Sequence, residues 1–199
     1  MKILLAVPTF ENILPECFEA LYNLDRCGHD LVFKCVKGYD CAKARNVIAD
    51  KAVEGCFDYV MMVDSDVIIP SDALKLMLDP EADMVVGCCP RKNTRNKMSC
   101  LCAFKDNPPG KGFHNALTYD DLRGTERILL KGGGFACVLI RADIFTKLKY
   151  PYFKYVVYED HGALSEDFYF CNQVNAAGYK IYADPRVHCG HLFRGFQYE

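Results

Sequence analysis

An apolar run from Tyr59 to Val63 leads straight into Asp64, Ser65 and Asp66, and Val67, Ile68 and Ile69 follow. Alternate residues of an extended segment point to opposite sides, so residues two apart share a side. Both carboxylates can then face one point beyond a buried strand. A hard divalent cation, Mg²⁺ or Mn²⁺, takes oxygen ligands of this kind and often shares them with a diphosphate. Two solvated turn aspartates would give the same letters, and a bare DxD does not decide between the two.

Four other groups are candidates for chemistry. Glu166 and Asp167 fall in the first turn of a predicted helix, where the macrodipole favours ionised carboxylates. A carboxylate kept ionised near neutral pH can act as a general base, although a simple charge bias at a helix start looks identical. The segment "VHCGHLFRG" sets His188, Cys189 and His191 within four residues, with Gly190 allowing close backbone approach. A zinc reading would want a second ligand cluster, and no CxxC pair exists. Arg45 lies near the start of a predicted helix, either facing a phosphate or on a solvated face. Gly132, Gly133 and Gly134 precede a strand and do not form GxGxxG. They make either a turn that lets a bound group approach the backbone or a plain β-turn.

The elements that must position these groups follow from periodicity. "KILLAVPTF" is a strand closed by a proline turn. "LPECFEALYNL" is a helix with Phe18, Leu21 and Tyr22 at helical spacing. "LVFKCV" is a strand, and "CAKARNVIADKAVEG" is a helix with Ala44, Val47, Ile48 and Ala52 on one face. "FDYVMMVD", a short Ser71-capped helix and the strand "DMVVGCC" complete a β-α-β-α-β-α-β array within the first 90 residues. Such alternation implies a mostly parallel, Rossmann-like sheet flanked by helices. Ligands of such sheets bind beyond the carboxyl ends of the strands. Pro8 and Thr9, Gly38 to Asp40, Asp64 to Asp66 and Cys88 to Arg91 all occupy those ends. Residues 91–126 are polar and irregular, with "DNPPGKGFHN" the most loop-like part. "RILLKGGGFACVLIRADIF" reads as strand, glycine turn, strand and helix start. "SEDFYFCNQVNAAGY" reads as a helix capped by Ser165 and stopped by Gly178. "KIYADPRV" is the last strand.

Composition narrows the field. A chain of 199 residues makes one α/β domain, with residues 1–90 as its regular β-α half and 91–199 as its irregular half. A net charge of −2 and a pI of about 6.2 argue against general nucleic-acid binding. The twelve cysteines are scattered and read as reduced thiols in a cytoplasmic compartment. The apolar run at the start is too short for a signal peptide, and no run approaches the roughly 20 residues of a membrane span.

The motifs together resemble the GT-A nucleotide-sugar glycosyltransferases, in particular family 2-like, bacterial and phage-type members. "LLAVPTFEN" looks like their opening strand and turn. "AKARNVIADKAVEGCFDYVMMVDSDVIIP" looks like their ARN helix leading to the DxD strand. "GGGFACVLIRADIF" is similar to their acceptor-side glycine segment, and "SEDFYFCNQVNAAGYKIYADPRVHCGH" to their ED helix and late histidine. The resemblance implies a donor of the UDP or GDP type and a hydroxyl acceptor on a glycan, lipid or protein. It implies that Asp66 coordinates Mn²⁺ or Mg²⁺, with Asp64 on the ribose or on the metal through water. His191, in the GH position, would complete the metal site, with His188 as the reserve. Pro8, Thr9, the turn to Asp40, Arg45 and Ser65 would line the nucleotide-sugar site. Gly133, Gly134 and Phe135 would shape its acceptor side. Asp167, next to Glu166, would deprotonate the acceptor, and Arg194 would help neutralise the diphosphate. Some DxD enzymes with a late histidine retain configuration, so inversion and retention both stay open.

Rival readings fit less well. A haloacid dehalogenase-type phosphatase wants its DxD on the first strand with Thr or Val two residues on, and here Ile68 holds that place. A nucleotidyltransferase would want a glycine-rich, basic loop after the first strand, and "VPTFENILPE" has none. A degenerate domain that binds only carbohydrate or a partner is the non-enzymatic alternative.

Overall fold

A computed structural model of the chain describes residues 1–90, 101–106, 113–159, 162–193 and 196–198. Strand β1 (Lys2–Thr9) is buried from Ile3 onward, so it needs cover on both faces. Helix α1 (Pro15–Tyr22) begins on Pro15, whose missing N–H costs nothing at a first helical position. Strand β2 (Asp30–Lys37) buries only Val36 and is an edge strand. Helix α2 (Cys41–Glu54) is capped by Asp40, whose carboxylate accepts the Lys43 N–H at 2.9 Å. Ala42, Ala44, Ala49 and Ala52 are buried along α2, and small residues let a helix lie close against a sheet.

Strand β3 (Tyr59–Val63), β4 (Val67–Ile68), α3 (Ala73–Met77) and β5 (Met84–Cys88) complete the first half. The second contains β6 (Ala103–Asp106), β7 (His114–Ala116), β8 (Ile128–Leu130), β9 (Gly132–Gly133), β10 (Cys137–Arg141), β11 (Val156–Val157) and β12 (Ala163–Leu164). Helix α4 (Glu166–Ala176), β13 (Ile181–His188), β14 (Gly190–Phe193) and β15 (Phe196–Tyr198) close the chain.

Seven strands form the central sheet in the order β2-β1-β3-β10-β5-β13-β8. β2, β1, β3, β5 and β13 run one way, and β10 and β8 run against them. The β-α alternation through residue 90 is therefore present, in a mostly parallel sheet. The position of β10 is a tertiary outcome. Val138, Leu139 and Ile140 are fully buried, so this strand needs a neighbour on each side, and it wedges between β3 and β5. Helix α1 differs from its predicted facing. Phe18 and Tyr22 are exposed and pack against each other at 6.4 Å, while Cys17 and Leu21 enter the core.

Helices α2 and α4 cover one face of the sheet, with Phe135, Phe145, Phe153 and Phe170 packed together beneath them. Leu21 and Leu24 near α1, and Leu74 and Met77 of α3, cover the other. The chain leaves β1 for β2 on one side and returns to β3 on the other. That reversal opens a crevice beyond the ends of β1 and β3. Among the described residues no helix is long and apolar enough to cross a membrane.

Asp184 of β13 is fully buried and pins the far end of the sheet. Arg186 bonds it through Nη2 at 2.6 Å and Nε at 2.9 Å, and Arg127 Nε reaches it at 3.1 Å. Arg127 also meets Asp79 and the Leu76 carbonyl, so the network ties β13 to the end of α3. Burial raises the carboxyl's pKa, but the bonds from Arg186 and Arg127 outweigh it and hold it below the ordinary 3.8. A depressed carboxylate stabilises the fold above its unfolded pKa, and that contribution fades as pH falls through the folded value. Asp184→Asn should therefore cost about 3 kcal/mol in denaturant unfolding at pH 7. The gap to the unsubstituted protein should narrow as the pH is lowered below 3.8.

Candidate functional site

An open cleft of about 540 Å³ lies beyond the ends of β1, β2 and β3. Pro8, Thr9, Asp40, Asp64, Ser65, Asp66 and His191 all line it. Gly38, at φ +85°, turns the chain after β2 in a conformation that favours glycine. Its N–H donates to the Thr9 carbonyl at 3.1 Å and holds the two strand ends together. Tyr39, inside the turn from Gly38 to Asp40 that the sequence places at a strand end, lines the same cleft. Phe10, Cys41 and Tyr155 line it too and were not picked out by sequence reasoning, although Phe10 directly follows the strand-end pair Pro8 and Thr9. Tyr155 comes from an aperiodic stretch and carries no such signal.

Strand β14 brings the late histidine to the aspartates. It pairs antiparallel with β4, with His191 opposite Val67, and the Leu192 N–H donates to the Asp66 carbonyl at 2.9 Å. His191 Nδ1 lies 2.8 Å from the Pro90 carbonyl oxygen. A carbonyl only accepts, so Nδ1 carries the proton, and Nε2 of the neutral ring keeps its lone pair. That Nε2 stands 3.5 Å from Asp66 Oδ1. A fixed tautomer with the free nitrogen beside a carboxylate is the arrangement of a metal-binding histidine held from behind. The carboxylate suits Mn²⁺ or Mg²⁺, and the added imidazole favours Mn²⁺ of the two, with the other positions left to ligand oxygens and water. Among the described residues no third His, Cys, Asp or Glu joins them in a metal-binding group. His188 is placed elsewhere, in a cavity of about 440 Å³ with Ile69, Pro70 and Tyr119.

Asp64 has a different partner. Arg45 is only 3% exposed. Its Nη2 bonds Asp64 Oδ1 at 3.0 Å, its Nη1 meets Glu166 Oε1, and its guanidinium lies over the Phe135 ring at 5.4 Å. The expectation that Arg45 faces a phosphate is thus corrected, as is the solvated alternative. Its two terminal nitrogens are taken by protein carboxylates, and it does not line the cleft. Burial raises the pKa of Asp64, and Arg45 opposes it. Glu166 is likewise raised by burial and opposed by Arg45, with the Tyr155 hydroxyl a smaller influence that lowers it. Glu166 is therefore an anchor for Arg45 rather than a carboxylate open to solvent.

Asp167, in the same first turn, is half-buried. Its Oδ1 accepts the Phe168 N–H at 2.8 Å and the Ser165 hydroxyl. Ser165 thus holds Asp167 instead of capping the helix backbone. The glycines have a packing role that neither turn reading anticipated. A Cβ on Gly133 would meet Val86 at 3.0 Å, and one on Gly134 would meet Cys102 Sγ at 2.6 Å. The space above them is filled by the protein, so Gly133 and Gly134 do not border the cleft. Phe135 is buried in the aromatic core and does not face an acceptor. Arg91, Arg194, Cys100 and the stretch 107–112 lie outside the described residues.

No family model and no curated protein matches this sequence. Solved structures do match. A197 from STIV is 17% identical, with a TM-score of 0.68 over 98% of this chain and 87% of that one. GalNAc-T7, solved with UDP, GalNAc and Mn²⁺, is 11% identical, with a TM-score of 0.56 over 98% of this chain but only 45% of its own length. A Drosophila β1,4-galactosyltransferase 7 mutant, solved with manganese, UDP-Gal and xylobiose, is 14% identical, with a TM-score of 0.56 over 98% of this chain and 72% of that one. At these identities the likeness is one of architecture. The sheet order, the cleft at the strand ends and these neighbours identify the chain as a single domain of the GT-A nucleotide-sugar transferase fold.

Proposed function

We propose that the chain is a metal-dependent glycosyltransferase that moves a sugar from a UDP- or GDP-type donor to a hydroxyl acceptor. The observation that carries this reading is the pair formed by Asp66 and His191. A histidine held by a backbone carbonyl presents its free nitrogen to a carboxylate, at the mouth of a cleft on the strand ends. Asp66 and His191 would hold Mn²⁺ or Mg²⁺, which when bound supplies Lewis-acid stabilisation of the charge on a leaving diphosphate.

The protein's own groups divide the remaining work. Phe10 and Tyr39 offer ring faces for a base, and Pro8, Thr9 and Asp40 line the floor beside them. Asp64, bonded to Arg45 and lining the cleft, would meet the ribose, or the metal through water. Asp167 takes the acceptor proton as the acceptor oxygen bonds to the anomeric carbon and the sugar–phosphate bond breaks. Two donors on its Oδ1 fix the carboxyl for that task. Attack on the face opposite the diphosphate inverts the anomeric carbon. Glu166 acts one step back, by holding Arg45.

Thermal-shift titration should show UDP or GDP stabilising the protein in the presence of Mn²⁺ and not in its absence. Asp66→Ala and His191→Ala should each weaken that binding by about 100-fold or more while the fold survives. Unchanged binding in Asp66→Ala would sink the metal assignment. Asp167→Asn should slow sugar transfer by about 10² to 10⁴ while leaving diphosphate binding alone. The anomeric configuration of the product, read by NMR, tests inversion. A retained centre would remove Asp167 from the role of simple base.

A further inference from the structure

A second cavity, of about 490 Å³, adjoins the cleft through Tyr155, which lines both. Its other walls are Phe104, Phe113, Phe168, Val156, Val157 and Leu164, with Ala163 and Ser165. None of the described residues that line it is charged. Its polar side chains are the Ser165 and Tyr155 hydroxyls, and Ser165 already donates to Asp167. Among the described residues the cavity therefore offers few side-chain partners for the many hydroxyls of a bare sugar, and none for a charged headgroup.

The three phenylalanines form one half-exposed cluster. Phe104 and Phe168 meet edge to face at 5.3 Å, Phe113 and Phe168 lie at 4.6 Å, and Phe104 and Phe113 at 6.2 Å. Aromatic rings at these spacings and tilts accept a further ring in the same geometry. Half-exposed phenylalanines gathered around a concave space, at the start of the helix that carries Asp167, leave apolar area for a ligand to cover.

We infer that this cavity is an acceptor subsite for a hydroxyl compound with an uncharged aromatic body. The inference rests on the transferase reading for its orientation. The aromatic body sits against Phe104, Phe113 and Phe168, and the reacting hydroxyl extends past Tyr155 toward Asp167. Tyr155 is then a positioning residue shared by the donor and acceptor sides.

The test uses the full chain, with and without Mn²⁺ and UDP. Binding of phenyl β-glucoside, octyl β-glucoside and free glucose is measured by saturation-transfer NMR and calorimetry. Phenyl glucoside should bind about tenfold or more tightly than glucose, and more tightly than the octyl compound. Phe168→Ala should remove that advantage. Val157 is 77% exposed, so Val157→Lys should remove it as well with no cost in folding. Equal binding of glucose, preference for the octyl chain, or an unaffected Val157→Lys variant would each overturn the inference. Metal-dependent UDP binding is scored separately. Its loss with phenyl glucoside binding intact would count against the transferase reading and leave the aromatic cavity standing.

Discussion

The geometry of the cleft depends on one buried cation. Arg45 lies between Asp64, which follows β3, and Glu166, which opens α4, residues 19 and 121 positions away in the chain. A guanidinium taken out of water is tolerated only when carboxylates and hydrogen bonds replace its hydration. Here two carboxylates and the Phe135 face do so, and one nitrogen, Nε, is left buried without a partner. The pairing locks the helix of the ARN segment to both acidic segments at once. It also separates the two aspartates of the DxD. Asp64 turns inward to the arginine, and Asp66 stays with His191.

The next residue of α2 does the same for the segment around Tyr152 and Phe153. Asn46 donates to the Ala42 and Phe153 carbonyls at 2.8 and 2.7 Å, and its oxygen accepts from the Tyr152 and Phe153 N–H groups at 2.9 and 3.2 Å. A buried amide that satisfies both its donor and acceptor ends fixes the irregular segment after residue 150. Tyr155, the divider between the two cavities, follows directly. Arg45 and Asn46 thus tie the acidic segments and the segment before Tyr155 to adjacent positions on one helix.

Much of this was legible beforehand, for a local reason. Apolar runs and helical spacing report burial, so the β-α array and the strand ends could be read; the groups at the ends of β1, β2 and β3 line one cleft, while Cys88 and Pro90 line the cavity that holds His188. Other features depend on what a segment meets rather than on its own letters. The Gly132 to Gly134 run is glycine because Val86, Cys102 and Phe113 press on it. Phe18 and Tyr22 have helical spacing but lie outside the packed face of α1. The GH position favours His191 over His188, and the pairing of β14 with β4 is what sets His191 beside Asp66.

By itself the sequence determined the residue types, the order of elements through the first half and the place of the carboxylates after β3. Periodicity and turn chemistry are short-range, so one strand and its flanks suffice to show them. Only the tertiary structure decided which charge meets which. It buried Arg45 between two distant carboxylates, aimed His191 rather than His188 at Asp66, and slid β10 between β3 and β5. Those outcomes come from closing a sheet out of strands far apart in the chain and from the need to pair every charge that closure buries.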